Sequence, residues 1–212
     1  MKLLEALHVR LYDLIVRSEI FNRIVWANSK ANYTNFIKQV LDSLPAGSTV
    51  VDVPCGPLTF SAKIYATENR HKIFLLDISE PALKLAPKRL KKTGVQNNIV
   101  IQKADAFSLN FTDNSVDAVL SLGFLHIFSD QQQISEVLNE FRRVLKPGGL
   151  LYLQILAAER KFSLIFQKIL HFIGQIGKPR KARFYIDLVK KANFQILSAQ
   201  TIGGMLYIQA KK

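Results

Sequence analysis

The sequence predicts an α/β fold on a doubly wound, mostly parallel sheet, and three observations carry that prediction. Apolar runs that end in an acid occur at 50–52 and 71–77, each followed by turn residues and a helical pattern. Strand-like runs then alternate with helical periodicity as far as Leu156, as βαβ units require. A chain of 212 residues suits one sizeable domain and is short for two.

The elements follow in order. Leu4, Leu7, Leu11, Leu14 and Ile15 stand at helical spacing, a turn-rich stretch from Phe21 to Tyr33 carries Trp26, and a helix is expected over 33–44, before Pro45-Ala46-Gly47. Residues 1–47 therefore form an N-terminal helical cap over one end of the sheet. Packing is its plain role; as a lid it would set Tyr12, Trp26 and Tyr33 against a substrate. The stretch Val50–Ser61, VVDVPCGPLTFS, delivers a strand end into a tight turn that opens a helix expected over 58–67. At such a corner backbone N–H groups and the positive helix end face a ligand, and the strand-end acid can hold a cationic or hydroxylated group. A plain α/β corner has the same composition.

Asp77 ends the second strand beside that corner, where a carboxylate can accept both hydroxyls of a ribose. The alternative is an acid that merely caps the following helix, for which Ser79, Glu80 and Pro81 already supply start signals. A third strand is expected over 98–102, before Ala104-Asp105-Ala106-Phe107, and a fourth over 114–123, its carboxyl end at Ser121–Gly123 and leading into His126. A helix over 130–145 stops at Pro147, and Gly148-Gly149 turn the chain into a strand over 150–156. A helix near 185–192 and two strands joined at Gly203-Gly204 close the chain.

The acid-bearing corner, Asp77, Asp105 and the text FRRVLKPGGLL from Phe141 together resemble the class I S-adenosylmethionine-dependent methyltransferases over about 49–156. The corner departs from the family's acid followed by G-x-G-x-G, since Pro54 and Leu58 stand at the first and third glycines and only Gly56 remains. The resemblance implies a Rossmann-like seven-stranded sheet closed by an antiparallel hairpin, with S-adenosylmethionine as cofactor and S-adenosylhomocysteine as product. It implies a cofactor-binding set of Asp52, Val53, Pro54, Cys55, Gly56, Asp77, Ile78, Asp105, Ala106, Ser121 and Leu122, with Asp105 on the adenine amine and the neighbouring N–H on a ring nitrogen. It divides the single domain into the cap at 1–47, a cofactor core at 48–157, a basic amphipathic insertion at 158–183, and a closing helix and hairpin at 184–212. Tyr12-Asp13-Leu14, the corner and the tail GGMLYIQAK are similar to the type 11 and quinone-biosynthesis C-methyltransferase branch, which implies a small, apolar, quinol- or lipid-like acceptor.

Methyl transfer from a sulfonium is an in-line displacement, so positioning and exclusion of water do most of the work. A base is needed only when the acceptor must lose a proton; His126 is the candidate, with a wall residue as its alternative. No metal spacing links His8, His126 and His171, so no metal is expected. The single cysteine, Cys55, excludes an internal disulfide and paired-cysteine chemistry, and the cytoplasm is the expected compartment.

Phe162, Ile165, Phe166, Ile169, Ile173 and Ile176 give 161–177 a wide apolar helical face, followed by Lys178, Arg180, Lys181 and Arg183 around Pro179. Three readings stand: a core helix, a lid that adds Phe166 to the substrate pocket, or a helix in peripheral contact with a membrane. Net charge +13 raises a nucleic-acid partner, yet no zinc-knuckle or aromatic-basic pattern accompanies it. An RNA-directed methyltransferase and a cofactor-poor binding or regulatory module on this fold are the alternatives to a small-molecule enzyme; no oligomeric state is read from the sequence.

Overall fold

A computed structural model describes residues 18–91 and 98–212. Seven strands form one sheet in the order β3-β2-β1-β4-β5-β7-β6. They are β1 (Thr49–Asp52), β2 (Lys72–Asp77), β3 (Ile99–Lys103), β4 (Val116–Leu122), β5 (Leu145–Leu156), β6 (Gln195–Ile202) and β7 (Met205–Lys211). The first five pair in parallel, while β7 runs antiparallel to both β5 and β6. The doubly wound sheet and closing hairpin expected from the sequence are both present.

Among the described residues six helices longer than one turn accompany it: α1 (Lys30–Ser43), α2 (Ala62–Thr67), α3 (Glu80–Lys91), α4 (Gln131–Val144), α5 (Lys161–Phe172) and α6 (Ala182–Lys191). A helical turn at Glu19–Phe21 and a π-helical one at Asn22–Trp26 precede α1. Because successive strand residues point to opposite faces, the buried runs of the sheet feed two cores. Val50, Ile73, Leu75, Ala118, Leu120 and Tyr152 pack with α1, α2 and α3 on one face. Val51, Leu76, Val119, Leu151, Leu153 and Ile155 pack with α4 and α6 on the other. The Asp130 carboxylate caps α4 by accepting from Gln132 N at 2.9 Å, and Ile134, Val137, Leu138 and Phe141 bury its apolar stripe completely.

Several boundaries shift by one to three residues, and three differences have a plain physical cause. The helix after the corner begins at Ala62 rather than near Leu58, because Leu58 adopts φ +56°, which no α-helix admits. β5 begins at Leu145, since the Pro-Gly-Gly stretch stays in the sheet: Gly148 N donates to Lys212 O and Lys212 N to Gly149 O. α5 ends at Phe172 rather than running to 177; Gly174, at φ +73°, lets Gly174 N reach His171 O and Gln175 N reach Leu170 O, a Schellman closure. The amphipathic pattern at 3–17 lies outside the described residues.

Candidate functional site

The site grows from the carboxyl edge of the central strands. β1 ends at Asp52, in register with Leu75 of β2 and Leu120 of β4. The chain then continues pairing on both sides: Val53 N donates to Leu120 O at 2.9 Å and Cys55 N to Leu76 O at 2.8 Å. The Val53–Pro54 peptide is cis. Gly56, at φ +58°, aims its N–H at the Asp77 carboxylate, 2.7 Å from Oδ2, and a Cβ there would meet only open space. Asp77 Oδ1 also accepts from Ser79 N at 2.8 Å, so one buried carboxylate joins the β1 corner to the start of α3. Asp77 thus caps the β2–α3 turn and also lies at the corner, where a ribose would meet it only if the cofactor binds there. Burial raises its carboxyl above the usual range against those N–H bonds.

The two departures from the glycine pattern have different outcomes. Leu58 is 1% exposed and belongs to the core beneath the loop, so its side chain does not stand on the ligand side. Its left-handed backbone costs on the order of 1 kcal/mol, offset by burial of a leucine. Pro54 supplies no N–H, and those of Cys55 and Gly56 are engaged by Leu76 O and the Asp77 carboxylate. Arg89 of α3 anchors the turn, donating from Nη1 to Pro57 O at 2.7 Å and to Thr59 Oγ1 at 3.0 Å.

Asp52 is buried and accepts from Tyr65 OH at 2.7 Å. Burial pushes its carboxyl up to about 7, the tyrosine hydrogen bond opposing and nearby Asp77 adding to the rise. Burial likewise pushes the Cys55 thiol well up, with Asp52 and Asp77 adding to it, so the thiol stays protonated and unreactive. Asp105 is exposed just past β3, its turn tied to β2 by Ala104 N on Asp77 O at 3.0 Å and closed by Phe107 N on its own Oδ1 at 3.0 Å. Ala106 is buried, whereas Ile78 leaves its side chain 60% exposed. At the end of β4, Ser121 Oγ is buried without a hydrogen-bond partner and Leu122 is buried beside it.

His126 follows in a 3-10 turn at Leu125–Ile127 and is buried. Its Nδ1 accepts from Leu156 N at 3.3 Å, so the neutral ring carries its proton on Nε2 and is a donor there. Burial drives its pKa down to about 4. His126 O also accepts from Gly177 N at 2.9 Å, and the residue thus ties the β4 exit to β5 and to the segment after α5. To act as a base the ring would first have to change tautomer. Trp26 and Phe166 come together, both edge-on to Phe21 at 6.2 and 6.1 Å, above Leu156. Tyr33 lies elsewhere, edge-on to Phe60 at 5.5 Å beyond the corner. Tyr12 is outside the described residues.

A separate groove of about 330 Å³ between α1 and the β6–β7 hairpin is lined by Asn32, Phe36, Gln39, Tyr152, Gln200 and Gln209, among others, and by none of the cofactor candidates. Among the described residues no cluster of His, Cys, Asp and Glu could hold a metal ion. Sequence reasoning missed Tyr65 and Arg89, whose partners are remote in the chain.

A doubly wound sheet with acids at the carboxyl ends of β1 and β2 and just past β3 defines a nucleotide-cofactor protein of the Rossmann-like class. A family model described as a methyltransferase domain matches residues 50–149. A tRNA (carboxymethyluridine(34)-5-O)-methyltransferase of Arabidopsis thaliana is 31% identical over 60% of this chain and 29% of its own length. A demethylmenaquinone methyltransferase of Desulfitobacterium hafniense is 26% identical over 81% of this chain and 70% of its own. The chain thus spans under a third of the first relative and more than two thirds of the second. The crystal structure of a methyltransferase from Methanosarcina mazei, at 22% identity, superposes with a TM-score of 0.67 over 82% of this chain and 96% of that one, which shows the shared fold.

The matched stretch, just under half of the chain, and the demethylmenaquinone relative support a class I S-adenosylmethionine-dependent methyltransferase with S-adenosylmethionine as cofactor. The residues present fit that molecule: the corner leaves open space at Gly56, Asp77 and Asp105 are the acids beside it, and Ser121 Oγ is a buried hydroxyl still lacking a partner.

Proposed function

We propose that this chain methylates a small, apolar acceptor of the quinol or lipid kind, and that the corner residues hold the cofactor. The observation that supports the cofactor set is the junction of Gly56 N with Asp77, which fixes the loop of β1 against the acid of β2. In this reading Asp77 receives the ribose hydroxyls, and Asp105 with the Ala106 N–H takes the adenine edge. Ile78 packs its exposed side chain on the adenine, Asp52 to Gly56 face the methionine end, and Ser121 and Leu122 complete the wall. Held by these residues, S-adenosylmethionine would supply a methyl group on a sulfonium and leave as S-adenosylhomocysteine. The chain's own contribution is orientation and a dry surface. His126, held as a donor at Nε2, serves as wall rather than base, so the proton that a hydroquinone gives up on methylation passes to solvent.

The acceptor class rests on the demethylmenaquinone methyltransferase, the relative of the two that this chain spans more fully, and on the apolar cluster of Trp26, Phe21 and Phe166 above Leu156. Incubation with methyl-labelled S-adenosylmethionine and hydroquinones bearing an open ring carbon should move label into the organic phase. Label found in added tRNA, with none in hydroquinones or lipids, would favour the RNA-directed reading that the charge and the plant relative raise.

A further inference from the structure

Helix α5 is turned inside out. The residues it buries most deeply are Ser163 and Gln167, and both are satisfied: Ser163 Oγ donates to Val25 O at 2.6 Å and Gln167 Nε2 to Ala157 O at 3.0 Å. Phe162, Ile165, Ile169, Phe172 and the following Ile173 meanwhile face solvent, Phe172 at 91%. At 3.6 residues per turn these five occupy one sector roughly 100° wide. The exposed Lys161 and Lys168 border that sector on one edge and the buried face on the other. The helical turns before α1 add exposed Ile20 and Ile24, one turn apart. Arg160 joins the two parts, donating to Ile24 O at 3.0 Å while its guanidinium lies over the Phe162 ring.

Of the three readings open for this segment, a core helix is inconsistent with that exposure. The surroundings identify what an exposed apolar sector of this kind would meet. Residues 160–191 carry nine Lys/Arg and a single acid, Asp187, on a chain of net charge +13. An apolar sector edged by lysines, whose stems can lie along apolar surface while the ammonium stays wet, matches the boundary between acyl chains and anionic headgroups. No helix among the described residues is long and apolar enough to cross a membrane, so α5 would lie on the surface rather than span it.

We propose that α5, with Ile20 and Ile24, docks this protein on an anionic lipid surface, its apolar sector among the acyl chains and Lys161 and Lys168 at headgroup level. Docking brings the carboxyl edge of the sheet to the bilayer, because α5 follows directly on the end of β5 at Leu156. The surface goes beyond the acceptor proposed above and does not depend on it.

The test is sedimentation of the full chain with phosphatidylcholine vesicles, with and without phosphatidylglycerol. Wild type should pellet with the anionic vesicles and keep part of its binding in high salt. The double variant Ile169→Ser/Phe172→Ser should bind at least about tenfold more weakly, with unchanged melting temperature and unchanged S-adenosylmethionine affinity. Lys161→Glu/Lys168→Glu should lose several-fold on anionic vesicles alone. The proposal is overturned if neither vesicle binds, or if the serine variant binds as wild type does, which would leave only diffuse charge attraction. It is equally overturned if the serine variant melts lower, which would place another part of the chain over this face, or if light scattering shows a dimer that the serine variant dissolves.

Discussion

Leu58 and Phe172 are both large apolar residues in unusual settings, and the protein treats them in opposite ways. Leu58 stands where the family's loop has glycine, and the chain accepts a left-handed backbone there to sink the side chain into the core at 1% exposure. Phe172 ends a helix with an ample apolar face and stays 91% exposed, while Ser163 and Gln167 of that helix are buried. The corner absorbs its departure by packing inward; α5 presents its departure outward. A motif violation that the core repairs is compatible with a working site, whereas an apolar surface that nothing in the described fold covers needs a partner to explain it.

The sharpest way to break this contrast is to truncate both side chains. Leu58→Ala retains the Cβ and the left-handed backbone and removes only core packing, so it should destabilise by about 2–4 kcal/mol in denaturant unfolding. Phe172→Ser should change stability by less than about 0.5 kcal/mol in the same measurement. Equal losses would mean that Phe172 is covered after all.

The next largest effect is pH dependence at His126. Its folded pKa of about 4 lies below the unfolded value, so its contribution is present above pH 6.5 and is lost as pH falls toward 4. Asp52, raised to about 7, acts with the opposite sign: its contribution is present below the unfolded carboxylate value and is lost as pH rises through 7. Since the two slopes oppose each other in wild type, comparison with His126→Gln isolates the histidine. Stability of the variant relative to wild type should improve by about 2 kcal/mol between pH 7 and pH 5. A pH-independent difference would show that the ring is not held neutral. A smaller effect is expected from Tyr65→Phe, which removes the hydroxyl that donates to Asp52 and should cost about 1–2 kcal/mol at neutral pH, read by thermal unfolding.

The contrast also explains what was legible in the sequence. Strand ends at Asp52 and Asp77, the acid at Asp105 and the closing hairpin are short apolar runs broken by turn residues, and these survive folding with boundaries shifted by a few residues. The direction of Leu58 was not legible, because φ +56° is fixed by tertiary packing and by Arg89 on Pro57 and Thr59, thirty residues away in the chain. Tyr65 on Asp52 was hidden for the same reason. Periodicity located the apolar face of α5 but not which side meets protein. The available signal was the i, i+4 pair Ser163 and Gln167, polar residues that find backbone carbonyls of Val25 and Ala157. His126 was legible as a position after β4 but not as a ring whose Nδ1 is engaged by Leu156 N.

The central claim is that a corner stripped of two of its three glycines still holds the cofactor through Gly56 and Asp77. Calorimetric titration with S-adenosylmethionine and S-adenosylhomocysteine, on wild type and on Asp77→Ala, tests it directly. The account predicts micromolar binding by wild type and a loss of about a hundredfold in the variant, the scale expected when hydrogen bonds to a charged group are removed. Absence of heat with wild type, or equal affinity in Asp77→Ala, would contradict it.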